Sequence, residues 1–498
     1  MSGLIRAEVA VVGGGPAGAI AAHVLSRLGR NVVLCEASGF PRDHVGISLS
    51  PGVAKQLAFV GLGGVLDKPC HRSGIRIERR WGTEDFEPSA GPASTIVDRG
   101  ILDFDLVDAA RQAGVRVLQP AMVGEQKRVG DGWRLDVRGT NSNFVLEANF
   151  VIEASGRRMR FRRRQRYGPT TLALCGSWIG AASKTVRISA QSDHWCWSAP
   201  TSPTENSLFC FIDPQRFQAL GGSLRERYIR IAHESGVLPG MDALTLGGEP
   251  YACDATPYVT EQETPRALRV GDADLTLDPL SSSGVQAAIQ SSLAIGPIVN
   301  TLLTPAADRD AAMEFWQTRR IKRMAQHRDW SRRLYSEALC AFRTAFWADR
   351  SETEPRSEPA AKVSAPAPAP DQFIRLSEHT RFTSAPCLTD GLVGRMECVS
   401  HTNLAEPVAF LDTIHALQNC GRWKRIFPPR HDSFLRHGPR ACPRTGRSRF
   451  SHGHGATGYW LTPPSATRLH GRGWARSTKF NLLCMRSLVK ILKAVGKQ

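Results

Sequence analysis

The chain has 498 residues, a hydrophobic fraction of 42%, twelve cysteines and a formal net charge of +18. This length accommodates two or three domains, and no apolar run approaches the ~20 residues that a predicted membrane span needs. The cysteines form no C-x-x-C pair, which favours reduced thiols in a cytoplasmic protein over a disulfide framework.

The positive charge is concentrated at the C-terminal end of the chain. Residues 429–498 contain 14 Lys and Arg against one acid, Asp432, whereas residues 1–428 contain 50 Lys and Arg against 45 Asp and Glu. The body of the protein is therefore not strongly basic, and we predict neither a nucleic-acid partner nor a membrane partner.

The first predicted unit lies at the N-terminus. The apolar run Val9–Val12 predicts a buried parallel strand, and Gly13, Gly15 and Gly18 follow it in G-x-G-x-x-G spacing before an alanine-rich helical pattern. Such glycines permit a tight turn, close approach of a pyrophosphate and close helix–strand packing. The helix N-terminus attracts phosphates. A second apolar run ends at Glu36, where a carboxylate can accept hydrogen bonds from a ribose. These features predict a dinucleotide-binding unit and leave no room for a signal peptide.

Alternating helices and strands follow this unit. The predicted elements are a helix over Leu102–Ala113, a strand over Val115–Leu118, amphipathic strands over Trp133–Arg138 and Asn143–Ala148, and a buried strand over Phe150–Glu153. The last strand closes on a turn of small residues, Ala154–Gly156, which lets the backbone approach a bound cofactor.

A change of pattern from Gly176 to about Tyr258 predicts a second domain inserted into the first. Tryptophans gather there at positions 178, 195 and 197. The first domain returns at Leu268–Asp272, and helices are predicted over Val285–Leu303 and within Met313–Trp347.

Together these motifs resemble the superfamily of flavin monooxygenases and flavin-dependent halogenases, over about residues 9–348. The resemblance is carried by the glycine-rich turn with Glu36, by Asp98-Arg99, by E-A-S-G-R at 153–157 and by G-D-A-D-L-T-L-D-P-L-S-S-S-G-V at 271–285. Residues 194–200 resemble the W-x-W-x-x-P motif of the halogenase branch. Residues 45–48 resemble its V-G-E-S motif, with Ile47 in place of Glu.

The resemblance implies an α/β fold in which a β-rich substrate domain is inserted into a Rossmann-like FAD/NAD(P)-binding domain of the aromatic-hydroxylase type. The implied organisation is residues 1–175 for the first part of the FAD-binding domain, 176–258 for the substrate domain, 259–349 for the return of the FAD-binding domain with C-terminal helices, 350–371 for a Pro/Ala linker, 372–428 for a small module and 429–498 for a basic tail of low order.

FAD is the cofactor that the resemblance implies. The resemblance implies that Asp272 contacts the ribityl hydroxyls of FAD. It also implies that Gly284 directs helix N–H groups at the pyrimidine edge of the flavin. The residues assigned to FAD binding are Gly13, Gly15, Pro16, Ala17, Gly18, Glu36, Ala37, Arg42, Ser48, Arg99, Val123, Asp272, Pro279, Gly284 and Val285.

One departure from the halogenase pattern bears on the reaction. Halogenases of this superfamily use a lysine, downstream of V-G-E-S, that captures hypochlorous acid. Here Arg72 falls near that position, and the nearest lysine is Lys68. A guanidinium stays protonated and is a poor nucleophile. The departure favours the relatives that lack this lysine, among them the FAD-dependent peptidyl-tryptophan hydroxylases of cysteine tryptophylquinone biogenesis.

The implied reaction hydroxylates an aromatic ring through a flavin C4a-hydroperoxide, formed from O2 and FAD that NAD(P)H or a reduced flavin has reduced. Trp195 and Trp197 either line the substrate cavity by stacking or belong to a core strand. His194, with Asp193, either removes a substrate proton or is structural. Pro279 is assigned to the same catalytic group.

The implied client is a protein or peptide that bears a tryptophan, such as a small subunit. The radical maturase of that subunit is implied as a further partner. Three alternatives stay open: a halogenase of an aromatic substrate, a reductase of an isoprenoid chain, and a maturation partner without catalytic activity.

The tail from residue 429 has three alternative interpretations: a disordered segment for an acidic partner, a segment that ends in an amphipathic helix over Asn481–Lys493, or a frame change. His452 and His454 have no further ligand at suitable spacing, so no metal site is predicted.

Overall fold

The computed structural model describes residues 3–42, 44–140, 142–158, 164–261, 266–351, 380–389, 391–401 and 408–409. The chain divides into two compact units, Met1–Arg356 with Leu388–Gly394, and Ser357–Cys387 with Arg395–Gln498. Most of the predicted linker and module, and the whole of the predicted tail with its terminal helix and its two histidines, lie outside the described residues.

Eight α-helices occur in the described part of the chain. They are α1 (Pro16–Arg27), α2 (Gly52–Phe59), α3 (Arg99–Gln112), α4 (Pro214–Ala219), α5 (Leu224–Ser235), α6 (Gly284–Leu303), α7 (Arg309–Phe342) and α8 (Ala345–Ser351). Among these helices of the described residues, none is both long enough and apolar enough to cross a membrane.

The strands are listed in chain order. They are β1 (Gly3–Val12), β2 (Val32–Cys35), β3 (Ser48–Leu49), β4 (Arg72–Ile75), β5 (Ile77–Arg80), β6 (Glu87–Pro88), β7 (Ser94–Ile96), β8 (Arg116–Leu118), β9 (Ala121–Val129), β10 (Gly132–Gly139), β11 (Asn143–Glu153), β12 (Arg164–Arg166), β13 (Leu172–Ile179), β14 (Val186–Ala190), β15 (His194–Ser202), β16 (Glu205–Ile212), β17 (Thr245–Leu246), β18 (Tyr251–Asp254), β19 (Tyr258–Thr260), β20 (Ala267–Arg269), β21 (Thr380–Thr389), β22 (Leu392–His401) and β23 (Val408–Ala409).

The first sheet has the order β8-β2-β1-β11-β10-β9, and β20 also pairs with β11. The pairs β8–β2, β2–β1, β1–β11 and β11–β20 are parallel. The two segments predicted as separate strands, 143–148 and 150–153, form the single strand β11. Its first half pairs with antiparallel β10 and alternates in burial, whereas its second half is buried continuously between parallel neighbours. That change of environment explains why the pattern was interpreted as two strands.

The second sheet has the order β17-β13-β16-β15-β14-β5-β6, with β18 also on β13. Most of its strands lie in the predicted substrate segment or just before it, from Leu172 onward. It also includes β5 and β6, which precede that segment by about ninety residues of chain. Strand β5 joins through a parallel pairing with β14. Such a nonlocal pairing has no signal in the local hydrophobic pattern.

The two faces of this second sheet contact different parts of the protein. Trp195 lies opposite Phe211 and Trp197 opposite Phe209, and these rings belong to a hydrophobic cluster that includes residues of α7 and α8. The intervening Cys196 belongs to another cluster, with residues of α5. Because neighbouring side chains on a strand point to opposite faces, the alternation assigns each residue of β15 to one cluster.

Helix α6 packs on α1 in the first domain. The hydroxyl of Ser292 donates a hydrogen bond of 2.6 Å to the carbonyl oxygen of Ala17. At the far end of α6, the Thr301 hydroxyl accepts a hydrogen bond of 2.7 Å from the backbone N–H of Val393, which is buried in the same core. The predicted region Met313–Trp347 forms two helices, α7 and α8, because Arg343 adopts the left-handed conformation between them.

Candidate cofactor and substrate site

The turns that follow the parallel strands of the first sheet meet at the carboxyl ends of those strands. Gly13 has a φ of +107°, and a Cβ built there would lie 2.5 Å from the carbonyl oxygen of Ala154. Gly271 has a φ of +59°, and its Cβ would lie 2.8 Å from the Cβ of Ala17. Three motifs that are distant in sequence therefore touch through positions where only glycine fits.

The N-termini of α1 and α6 have space beside them and no side-chain cap, which is what FAD binding there would need. Helices α3, α5 and α7 are capped by side chains, but neither Gly15 at the start of α1 nor Ser283 at the start of α6 makes a side-chain cap. A Cβ on Gly15 would meet just the Nη2 of Arg42, at 3.7 Å, and one on Gly284 meets no described atom within 4 Å. These two termini fit a pyrophosphate and the edge of a flavin ring.

Glu36 organises the glycine-rich turn. Its buried carboxylate accepts hydrogen bonds from the backbone N–H groups of Gly14 at 2.6 Å and Ser38 at 2.7 Å, and from Nη1 of Arg42 at 3.0 Å. A carboxylate has about four acceptor positions, so a ribose contact is compatible with these bonds and stays a prediction. Ala37 is exposed directly beside it.

The buried guanidinium of Arg99 is engaged by protein groups. Its guanidinium donates to both carboxylate oxygens of Asp103, at 2.9 and 3.0 Å, and to the carbonyl oxygen of Val45 at 2.5 Å. A Cβ on Gly46 would lie 2.9 Å from its Nη1 and 3.6 Å from Cγ2 of Val285. Arg99 thus fixes the loop that resembles V-G-E-S between α3 and α6. Sequence reasoning missed Asp103, although its i,i+4 spacing from Arg99 is the available signal.

The remaining residues assigned to FAD lie around this edge. Asp272 is partly exposed, and its Oδ2 lies 3.4 Å from Nε of Arg157. Val123 of β9 pairs with Val137 of β10. It lies two residues after Ala121, whose backbone N–H donates to the carbonyl oxygen of Glu36. The hydroxyls of Ser48 and Ser94 are 2.7 Å apart.

The two candidate tryptophans form an aromatic platform with Phe209 and Phe211. Trp195 stacks on Phe211 with ring centroids 3.9 Å apart, and Trp197 meets Phe209 edge-on at 5.4 Å. Trp195 is 1% exposed and Trp197 is 7% exposed, so protein covers both rings. Leu280, next to Pro279, belongs to the same cluster. The Pro279 loop, which comprises residues 279–283, therefore packs against this platform. The role of the tryptophans as cavity walls stays a prediction.

The structure does not bring His194 to this platform, which corrects the expectation of a base there. His194 shares the face of Cys196, opposite to that of Trp195 and Trp197. Its Nδ1 lies 2.9 Å from Oδ1 of Asp193. Burial acts to lower the pKa of His194, but the hydrogen bonds with Asp193 and Cys196 outweigh it and raise the pKa to about 9. A histidine held protonated in this way is not suited to act as a base near neutral pH.

Arg72 lies at the level of the V-G-I-S loop, as the resemblance implies for the lysine of halogenases. Ile96 of β7 pairs with Ser48 on one side and with Arg72 on the other. The Nη1 of Arg72 donates to the carbonyl oxygens of Pro200 at 3.2 Å and Ser202 at 2.9 Å. Lys68 instead makes an ion pair of 2.7 Å with Asp105.

The model of the FAD binding domain family matches residues 6–326 of this chain. Among curated proteins, the tryptophan 2-halogenase of Chondromyces crocatus is 27% identical over 338 residues, which cover 62% of this chain and 64% of that protein. The chain thus matches slightly less than two thirds of that relative's length. The flavin-dependent halogenase armH4 of Armillaria mellea is 25% identical over 374 residues, covering 63% of this chain and 69% of that protein.

Solved structures show the same fold. The peptidyl tryptophan dihydroxylase QhpG, essential for tryptophylquinone cofactor biogenesis, matches with a TM-score of 0.66 and 24% identity over 83% of this chain and 93% of its own. The flavin-dependent halogenase CmlS matches with a TM-score of 0.68 and 20% identity over 84% and 93%. The predicted α/β fold, the superfamily and FAD as its cofactor are confirmed.

Proposed function

The chain belongs to the FAD binding domain family, and we propose that it is an FAD-dependent monooxygenase that hydroxylates an aromatic ring. The substrate that we propose is a tryptophan side chain within a protein, modified during the formation of a quinone cofactor. When bound and reduced, the flavin supplies the oxygen chemistry, and O2 with NAD(P)H or a second reduced flavin completes the reaction. The protein's own part is to hold the cofactor, orient the ring and exclude water.

The observation that carries this proposal is the state of Arg72. Halogenation in this superfamily implies a lysine amine at this level of the fold. Arg72 presents a guanidinium there, and that group is occupied by the carbonyl oxygens of Pro200 and Ser202. A guanidinium is a poor nucleophile, so it does not replace the amine that captures a hypohalous acid. Hydroxylation needs no such amine.

The proposed substrate class has two supports. The buried rings of Trp195, Trp197, Phe209 and Phe211 pack beside the Pro279 loop, so the surroundings of that loop are apolar, as the binding of an indole requires. The similarity to QhpG extends over 83% of this chain, and that protein is a peptidyl tryptophan dihydroxylase. At 24% identity this similarity supports the fold, and the substrate remains our proposal.

A halogenase is the second candidate, because the curated relatives that match at 25–27% identity are halogenases by name. It would need an amine other than Arg72. Lys68 is the nearest in sequence, and its ammonium is engaged by Asp105.

One experiment separates the two candidates. The purified protein is loaded with FAD and supplied with NAD(P)H, a flavin reductase, O2 and a tryptophan-bearing peptide, in buffer that contains bromide. We expect mass increases of about 16 Da per added oxygen, with the oxygen drawn from labelled O2. A brominated indole would instead establish the halogenase, and a peptide that gains no oxygen while the reduced FAD is reoxidised would contradict the hydroxylase proposal.

A further inference from the structure

A fully buried carboxylate lies directly behind the Pro279 loop. Asp278 is 5% exposed, and both of its carboxylate oxygens accept hydrogen bonds from the phenol of Tyr335, at 2.8 and 2.9 Å. The backbone N–H of Leu280 donates a third bond of 3.0 Å. The backbone N–H of Asp278 donates in turn to Nε2 of His327 at 2.9 Å. Two residues of α7 therefore anchor the residue that begins this loop.

The loop that Asp278 begins sets the position of the N-terminus of α6. A short 3-10 helix, Pro279–Ser281, follows Asp278, and Ser282 then adopts a φ of +47°. The left-handed region is unfavourable for a serine and persists where the surroundings enforce it. Helix α6 starts two residues later at Gly284, with no side-chain cap. The backbone that would meet the flavin ring therefore includes a strained residue, Ser282, and Asp278 holds the start of this segment.

Charged and titratable groups from several elements face Asp278. They are Tyr335 and His327 of α7, Arg350 of α8, Arg157 after β11, and Tyr167. Burial raises the pKa of the Asp278 carboxyl, whereas the bonds from Leu280 and Tyr335 and the charges of Arg350 and Arg157 act against that rise. The phenol has a single O–H, which is shared between the two carboxylate oxygens. Removing it would leave a buried carboxylate without one of its donors, which costs far more than the net gain of an ordinary hydrogen bond.

We propose that Tyr335 is a positioning residue, which acts through Asp278 to hold the Pro279–Ser283 loop and the start of α6 in the conformation that binds FAD. Tyr335 itself does not have to touch the cofactor. The inference goes beyond the hydroxylase proposal, because it concerns FAD binding and is independent of the substrate.

The test is the affinity of the apoprotein for FAD, measured by titration with flavin fluorescence. Tyr335→Phe keeps the ring and removes the hydroxyl. We expect its Kd for FAD to rise about tenfold, the effect of one lost hydrogen bond to a buried charge. The matched control is Tyr228→Phe. Tyr228 is equally buried, and its hydroxyl donates to the Leu208 carbonyl oxygen at 3.0 Å on the other face of the second sheet. That variant should bind FAD as the wild type does. Equal Kd values for the two variants would overturn the proposal.

A second measurement separates positioning through Asp278 from general damage. The Asp278→Asn variant carries no buried charge at this position, so in its background we expect Tyr335→Phe to change the Kd by less than threefold, the nonadditivity of residues that act as a pair. The same tenfold change in both backgrounds would contradict the proposed route. Hydrogen exchange at residues 280–286 of the apoprotein should be faster in Tyr335→Phe than in Tyr228→Phe, and equal rates would count against the proposal.

Discussion

Arg72 and Ser202 are joined by a hydrogen bond of 2.9 Å from the guanidinium Nη1 to the backbone carbonyl oxygen. The bond ties β4, which forms a three-stranded sheet with β7 and β3, to the end of β15, the strand that carries Trp195 and Trp197. A position that would provide the reactive amine of a halogenase thus has a structural role in this protein. Its side chain holds the platform strand against the loop that resembles V-G-E-S.

Replacing Arg72 by lysine tests this role. We expect Arg72→Lys to incorporate no bromine into an aromatic client, because an ammonium that reaches the same two carbonyl groups stays protonated. The variant should also lose about 1–2 kcal/mol of unfolding free energy, since one point charge replaces a forked donor. Mass spectrometry and urea denaturation measure the two effects. Arg76→Lys, at an exposed position on the same stretch, is the control. A brominated product from Arg72→Lys would show that an amine at this position can react, and would contradict a purely structural role for the side chain.

Two glycines of the first turn should respond differently to substitution. A side chain at Gly15 enters open space, with its Cβ 3.7 Å from Nη2 of Arg42, whereas a Cβ at Gly18 would lie 1.9 Å from the carbonyl oxygen of Gly13. We therefore expect Gly15→Val to fold with a normal melting temperature and to lose FAD, because the side chain fills the space for the pyrophosphate. Gly18→Ala should lower the stability itself, by about 3 kcal/mol or more.

Flavin absorbance after gel filtration and thermal unfolding distinguish these outcomes. A Gly15→Val protein that retains full FAD occupancy would refute the assignment of this turn to the phosphates.

The sequence was sufficient for the first domain because its motifs encode local backbone requirements. Gly13 needs a left-handed φ, Glu36 follows a buried strand, and α6 begins at Gly284, so each appears as a pattern of neighbouring residues. The second sheet was harder to predict, since β5 joins it by pairing with β14 over a hundred residues later. Tyr335 was missed for the same reason, since its partner Asp278 lies 57 residues away in the chain. Its importance comes from a partner that a periodicity does not specify.

His194 illustrates the other limit of sequence reasoning. The motif placed it beside two tryptophans in sequence, but the alternation of side chains along β15 separates them in space. We expect His194→Gln to leave the pH profile of kcat/KM unchanged, because the imidazole lies on the face away from the platform. A basic or acidic limb that disappears in the variant would show that His194 does take part in proton transfer.

The same variant should change the pH dependence of stability. The folded pKa of His194, about 9, lies above the ~6.5 of an unfolded histidine. The stabilisation from its interactions with Asp193 and Cys196 is therefore complete below pH ~6.5 and is lost as the pH rises through about 9. Urea denaturation across this range should show a decline in the wild type that His194→Gln lacks.

His327 should make the stability depend on pH in the opposite direction, with a loss of unfolding free energy as the pH falls. Its Nε2 accepts the N–H of Asp278 and so carries no proton, and burial, followed by repulsion from Arg323, lowers its pKa to about 4. An unfolded histidine takes up a proton near pH 6.5. Its contribution to stability is therefore constant above pH ~6.5 and falls as the pH drops from there to about 4, by on the order of 3 kcal/mol.

The measurement is the free energy of unfolding in urea, followed from about pH 7 to about pH 4. In His327→Gln, the amide oxygen can still accept the Asp278 N–H but has no proton to gain, so the decline should be shallower than in the wild type. Glutamine at His233 is the matched control, because His233 is half-exposed and faces the fully exposed Asp242 at 3.7 Å. His233→Gln should follow the wild-type curve. A decline that persists in full in His327→Gln would show that another group is responsible, and that His327 is not the neutral acceptor behind the Pro279 loop.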